Sequence, residues 1–246
     1  MHFKLNDFII EQNEDFVAIN KPSGLLTIPD REGKEPSLKG VLQEQFNRVF
    51  TVHRLDKDTS GLVVFALTEQ MHKHLSQQFE ARETKKIYNG LVMGKPASEE
   101  GMIDEPIAEH PTKKGHMTVW RKGKESITDY RLLDSYRFYS WMEFRILTGR
   151  THQIRVHMKH LGHPIVCDPL YGDGKPLFIS QLKRNYKLSQ ADEEERPILS
   201  RLALHSAQLT FRDIDGNVIN LKAPLPKDLR ATLSQLNKQS NKIKEP

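Results

Sequence analysis

The sequence predicts an α+β fold organised around one large, mainly antiparallel β-sheet. Three observations carry that expectation. Strand-length apolar runs and stretches of helical period intermix along the chain without a regular strand–helix–strand repeat. The segment Trp141 to Leu147 alternates, yet both of its faces carry apolar residues, as a strand covered on both sides requires. Near the C-terminus two apolar runs flank Asp215-Gly216, a pair suited to a tight hairpin turn.

Phe16 to Ile19 reads as a strand that breaks into a turn at Asn20-Lys-Pro-Ser-Gly24. Pro36 to Phe46 reads as a helix opened by Pro and Ser, with Leu38, Val41, Leu42 and Phe46 on one face. Leu62 to Leu67 is a β-branched, apolar run and so a buried strand. Glu69 to Arg82 sets Met71, Leu75 and Phe79 at spacings of four, a helical stripe. Further strands are expected at Ile87 to Met93, Met117 to Arg121, Ser126 to Leu132 and Trp141 to Leu147. Thr151 to Leu161 reads as a helix capped by Thr151, stopped by Gly162, and buried along Ile154, Met158 and Leu161. Leu202 to Phe211 and Val218 to Leu221 form the hairpin, and Pro226 to Leu236 the final helix. This makes one domain over 1–236, followed by a polar tail over 237–246 expected to fray into disorder. Within it 174–201 is irregular and carries the acidic run Asp192 to Glu195, read as a solvated insertion.

Composition narrows the classes. Of 246 residues, 37% are hydrophobic and 28% charged, which suits a globular chain rather than a disordered one. The net charge of +5 permits a polyanionic partner without demanding one. Its placement says more: Lys113, Lys114, Arg121, Lys122 and Lys124 fall in one acid-free stretch that equals the whole chain's excess. With one cysteine, Cys167, neither an internal disulfide nor a thiolate metal cluster can form. The N-terminus has no signal pattern and no apolar run approaches bilayer length, so the cytoplasm is the default compartment, and a monomer the default state.

Two polar clusters can do chemistry. Asp56 lies in His53-Arg-Leu-Asp-Lys-Asp-Thr-Ser-Gly61, immediately before the expected strand at Leu62. Polar loops held by rigid strands are where sites are built, and the same residues also suit a plain turn. The second cluster is Leu147-Thr-Gly-Arg-Thr-His-Gln-Ile-Arg-Val-His157. Arg155 stands about 100° around the helix from the buried Ile154, placed to pair with a carboxylate or to lie along the surface over apolar neighbours. His152, His157, His160 and His163 do not share one helical face and have no acidic ligand among them, so no metal is expected. Tyr88 belongs to a strand, where it packs in the sheet or stacks on a base.

Together these segments resemble the RluA-type pseudouridine synthases. His53 to Gly61 is similar to that family's catalytic motif and Asn20 to Gly24 to the motif before it. Lys86-Ile-Tyr88 is similar to the segment with the active-site tyrosine. Gly149 to His157, Leu161-Gly-His-Pro164 and Asp168-Pro-Leu-Tyr-Gly172 are similar to the later motif carrying an arginine. Leu202-Ala-Leu-His205 and Ala223-Pro-Leu-Pro226 resemble the closing segments. The resemblance implies the pseudouridine synthase fold with a central cleft, and an enzyme that isomerises uridine in ribosomal or transfer RNA without cofactor. It implies Asp56 as nucleophile, Tyr88 stacked on the uracil and in reach of its proton, and Arg155 paired with Asp56. Arg54 would fill the space of the flipped uridine, Ile154 would line the pocket, and Lys21 would assist. The basic stretch 113–124 is the candidate RNA clamp, built as a hairpin, or else a solvated loop. Many members of the family carry a small RNA-binding domain before the catalytic one, and none is expected here, since the resemblance is already under way near residue 20. The rivals are an RNA-binding module that has lost catalysis and a hydrolytic nuclease using the histidines and Asp56, which would want a metal cluster or paired histidines beside the nucleophile.

Overall fold

The computed structural model of the chain describes residues 4–30, 32–183, 186–187 and 194–244. A 3-10 turn over Leu5–Phe8 leads into strands β1 (Ile9–Gln12) and β2 (Phe16–Lys21). Helix α1 (Leu38–Gln43), β3 (Phe50–Thr51), β4 (Ser60–Ala66) and α2 (Glu69–Glu80) follow. Next come β5 (Lys85–Met93), β6 (Glu100–Asp104), β7 (Ile107–Glu109), β8 (Met117–Val119), β9 (Ile127–Ser135) and β10 (Tyr139–Ile146). The chain closes with α3 (Gln153–His160), α4 (Ile179–Leu182), β11 (Leu204–Arg212), β12 (Val218–Lys222) and α5 (Lys227–Lys244).

Ten strands form one sheet in the order β1-β2-β4-β11-β5-β10-β9-β6, with β3 added to β4 and β12 to β11. The pairings are antiparallel except for β4 with β11, which run parallel. The expected α+β class and central β10 are therefore both present, β10 lying between β5 and β9. Alternation sorts the core to two sides of the sheet. Leu62, Val64 and Ala66 of β4 pack with Met71 and Leu75 of α2 on one side. Val63 and Phe65 share the other side with Leu38 of α1, Ile154 and Met158 of α3, and Leu229 of α5.

Where β4 meets β11 the backbones nearly touch. Gly61 has φ +111°, and a Cβ placed there would stand 2.2 Å from the Ser206 carbonyl oxygen. Only glycine tolerates both the conformation and the contact. The approach sets Ser60 level with His205, while Ser206 of β11 is level with Tyr88 of β5. The loop preceding β4 is thereby held beside Tyr88.

Several boundaries differ from expectation. β2 continues through Asn20 and Lys21 before turning, because its antiparallel pairing with β4 extends to Lys21 opposite Gly61. α1 stops at Gln43 rather than Phe46, and Ser37 caps it by accepting from the Gly40 amide. β8 ends at Val119 rather than Arg121. α3 begins at Gln153 with His152, not Thr151, at the cap position, and no side chain caps it. Leu161 is 37% exposed, so the buried face consists of Ile154 and Met158 with Gln153, Arg155, Val156 and His157 beside them. α5 runs on to Lys244, well past Leu236. The 174–201 stretch is anchored by Leu177 and Leu199, which bridge each other inside the core. The first two residues of its acidic run, 192 and 193, lie outside the described residues, while Glu195 accepts from the Ser180 amide. No helix among the described residues is long and apolar enough to cross a membrane.

Candidate active site

The Asp56 loop is held from beneath by the Asn20 to Thr27 segment. Lys21 Nζ donates to the carbonyls of Pro22, Leu25 and Lys57 at 3.0, 2.7 and 2.9 Å. Ser23 Oγ donates to the Asp58 carbonyl at 2.6 Å, and the Gly24 amide donates to the Lys57 carbonyl at 2.9 Å. Thr27 Oγ1 both donates to the Leu55 carbonyl and accepts from its amide. Lys21 was expected near the RNA, but it has no exposed surface and its three donors are all engaged. It is an internal strut of the loop. Burial pulls its pKa down to about 7, against the opposing charges of Asp56 and Asp58. Asp58 joins this cradle through its main-chain carbonyl.

Arg155 approaches Asp56 from the first turn of α3. Its Nη1 donates to Asp56 Oδ2 at 3.3 Å. Its Nε and Nη2 form a two-pronged pair with Asp168 at 2.8 Å each. Asp168 is fully buried, and its Oδ1 also accepts from the amides of Leu170 and Tyr171. The guanidinium lies 5.0 Å from the Tyr171 ring centre, a cation–π contact. Burial works against its charge, but the hydrogen bonds to Asp168 and the charges of Asp168 and Asp56 outweigh it and raise the pKa. A planar fork locked by one carboxylate is a rigid donor to another.

The turn into α3 is fixed by Gln153. Its Oε1 accepts from Thr148 Oγ1 and the Arg150 amide, and its Nε2 donates to the Ile127 carbonyl and Thr128 Oγ1. This network replaces the missing cap. It leaves His152 in the left-handed region at φ +57°, with Nε2 3.9 Å from Asp56 Oδ2 and Nδ1 2.8 Å from Tyr171 Oη. Burial lowers the pKa of His152, more than the Asp56 charge raises it. His157 is fully buried between Thr128 Oγ1 and the Glu105 carbonyl, a structural histidine. Among the described residues, no group of three or more His, Cys, Asp or Glu side chains is placed to hold a metal ion.

One cleft of about 590 Å³ is lined by Asp56, Tyr88 and Arg155 together with Arg54, Leu55 and Ile154. Tyr88 is nearly buried, and burial raises its pKa well above the ordinary phenol value. The ring therefore meets the cleft as a neutral phenol. Arg54 stands exposed at the mouth and Ile154 forms part of the wall.

The basic stretch is a hairpin. β7 and β8 pair Ile107 with Val119 and Glu109 with Met117. Lys113 and Lys114 lie in its turn, and Arg121, Lys122 and Lys124 follow β8; all five are exposed. Trp120 beside them is 55% exposed. A groove between this hairpin and Gly149 to Thr151 is lined by Lys114, Lys122 and Lys124. Those same residues, Gly149 to Thr151, also border the cleft of Asp56, so groove and cleft adjoin.

Sequence reasoning did not single out Asp168, Tyr171 or Trp120. Asp168 and Tyr171 stand in a stretch dense in polar and turn-forming residues, but no local period links Arg155 with a residue 13 positions on. A tryptophan inside a run of cations was the signal in the sequence that could have found Trp120.

Comparison with known proteins identifies the arrangement. The sequence model of the RNA pseudouridylate synthase family matches residues 15–160. The chain is 36% identical over 236 residues to ribosomal large subunit pseudouridine synthase D of Escherichia coli strain K12, covering 90% of this chain and 68% of that protein. It is 34% identical over 244 residues to the synthase D of Haemophilus ducreyi, covering 96% and 73%. The solved structure of human RNA pseudouridylate synthase domain containing 4 superposes with a TM-score of 0.71 at 26% identity, covering 95% of this chain and 94% of that one. The chain belongs to the RluA-type RNA pseudouridylate synthase family and is a pseudouridine synthase, an isomerase acting on RNA.

Proposed function

We propose that this enzyme converts a uridine of large-subunit ribosomal RNA to pseudouridine, with Asp56 as the nucleophile acting on a base flipped into the cleft. The observation that carries this is the meeting of Asp56, Tyr88 and Arg155 in one cleft from three separate elements. The reaction breaks the glycosidic bond, turns the base and rejoins it through carbon. An ionised carboxylate can attack the sugar or the ring, or assist departure of the base, and Arg155 donates a hydrogen bond to it. Tyr88, held neutral, offers an aromatic face for the uracil. Burial holds the phenol neutral, so the C5 proton can pass to Tyr88 only as its own hydroxyl proton is handed on, with Ser206 as the hydrogen-bonded neighbour. Ile154 closes the apolar wall and Arg54 fills the stack that the base leaves. No step moves electrons to an acceptor or transfers phosphate, so none requires a metal or cofactor.

The basic hairpin supports a clamp reading. Its cations face solvent beside a groove that leads to the cleft, as phosphate contacts need. Trp120 adds a stacking surface for an unpaired base. The relatives' names favour ribosomal RNA, with transfer RNA as the other outcome. The reading takes a single catalytic domain over 1–236 acting as a monomer in the cytoplasm.

The test uses cellular RNA tritiated at uracil C5. Wild type should release tritium without cutting the strand, and Asp56→Ala should release none while melting at the wild-type temperature. Release by Asp56→Ala would overturn the nucleophile assignment, and RNA binding without release by wild type would favour a non-catalytic module. Pseudouridine mapping in a strain lacking the gene separates ribosomal from transfer RNA.

A further inference from the structure

We propose that His152 is a positioning residue for Asp56, and that Tyr171 sets the imidazole in the one tautomer that performs this, joining the carboxylate to the basic hairpin through two hydrogen bonds and a charge–dipole contact. The inference rests on Asp56 being the nucleophile.

The direction of the chain follows from donor and acceptor inventory. The Met117 amide of β8 donates to Tyr171 Oη at 2.8 Å. That contact leaves the hydroxyl proton of Tyr171 free to point to His152 Nδ1, also at 2.8 Å, and the carboxylate on the far side of the ring favours this direction. Nδ1 then accepts, and the proton of the neutral imidazole sits on Nε2. That N–H faces Asp56 Oδ2 at 3.9 Å, a charge–dipole contact. The opposite tautomer would aim a bare nitrogen lone pair at a carboxylate, which is repulsive.

Arg155 Nη1 reaches the same oxygen, Oδ2, at 3.3 Å. Among the described residues Oδ1 carries no protein hydrogen bond, so two donors gather on one oxygen and leave the other for the substrate. Groups facing His152 are Asp56, Arg155, Asp168, Tyr171 and His116, and the net effect of burial keeps it neutral. Its left-handed backbone is the kind of strained residue that clusters at functional sites. Gln153 makes four hydrogen bonds across the turn that involve neither His152 nor Tyr171. The contact from Met117 gives hairpin position a direct route to Asp56, without Arg155 as intermediary.

Tyr171→Phe keeps the ring against Arg155 and removes only the hydroxyl. His152→Leu removes the Nε2 donor, and His152→Gln restores an N–H near its place. On tritiated large-subunit ribosomal RNA, Tyr171→Phe and His152→Leu should each slow the single-turnover rate about tenfold or more, with RNA affinity unchanged. The double variant should be no slower than the slower single, and His152→Gln should recover most of the rate. Unchanged rates, losses confined to affinity, additive losses, or His152→Gln as slow as His152→Leu would each overturn the inference. Melting temperatures of all variants show whether a slow variant is simply unfolded; if His152→Leu is, the Tyr171→Phe rate decides alone. Tritium release by Asp56→Ala would fell the underlying reading, whereas an inert Asp56→Ala beside a fully active His152→Leu would fell this inference only.

Discussion

Arg155 divides its guanidinium between two carboxylates of different character. Asp168 is fully buried and takes two prongs, while Asp56 is partly open to the cleft and takes one. The first pair holds the arginine so that the second can meet the substrate. Removing one member of a buried pair costs about 3–5 kcal/mol, because the other charge stays buried without a partner. Asp168→Asn should accordingly lower the melting temperature and reduce turnover, read by calorimetry and tritium release on the same preparation. Arg155→Lys keeps the charge but loses the planar fork, and should drop the rate roughly a hundredfold with a smaller loss of stability. An Arg155→Lys enzyme at wild-type rate would mean that charge alone, not the fixed fork, supports Asp56.

Two elements position the Asp56 loop: the close contact of β4 with β11, and the segment after β2. Gly61→Ala places a methyl into the Ser206 backbone, so strands must separate. Stability should fall by several kcal/mol, about the range of overpacking and left-handed strain combined. Lys21→Met leaves the carbonyls of Pro22 and Leu25 without their donor, each a loss of about 1–3 kcal/mol. Activity should fall together with stability, whereas RNA affinity should stay, since Lys21 does not reach the surface. A loss of affinity at unchanged melting temperature would instead place Lys21 in RNA contact. The basic hairpin behaves oppositely. Changing Arg121, Lys122 and Lys124 together to Gln should leave the melting temperature intact and flatten the salt dependence of RNA binding, by about 0.7 in log–log slope per cation.

The whole molecule carries histidines that fold neutral, His205 fully buried and His53 half-buried. His53 Nε2 accepts from the Val64 amide and its ring stacks on Phe79, and burial lowers its pKa to about 3. His205 lies between Ser60 Oγ and the Ala223 carbonyl, and burial lowers its pKa to about 4. In the unfolded chain both titrate near 6.5, so below that value the unfolded state binds protons that the folded state does not. Their contribution is complete above about pH 6.5 and is lost as pH falls toward the folded values, at about 1.4 kcal/mol per pH unit for each. Urea midpoints should drop steeply between pH 6 and pH 4, and His205→Asn should flatten that drop. An equally steep curve in the variant would assign the acid sensitivity elsewhere.

The sequence by itself determined what depends on short spacing. The stripe of Met71 and Leu75 marks α2, and the two-faced apolar pattern of Trp141 to Leu147 marks a central strand. The Asp215-Gly216 turn was legible for the same reason, as was the dense polar loop at Asp56, whereas the strand Ile107–Glu109 that pairs the basic hairpin was not. Helix ends were less legible: α3 starts without a side-chain cap because Gln153 binds back across the turn to a neighbouring strand. Only the tertiary structure decided which groups face one another across the chain. Lys21 reaches a carbonyl 36 residues away, and β4 runs parallel to a strand that arrives some 140 residues later. Such partners are chosen by the packing of the whole sheet, and hydrogen bonds across it leave no period in the sequence to read.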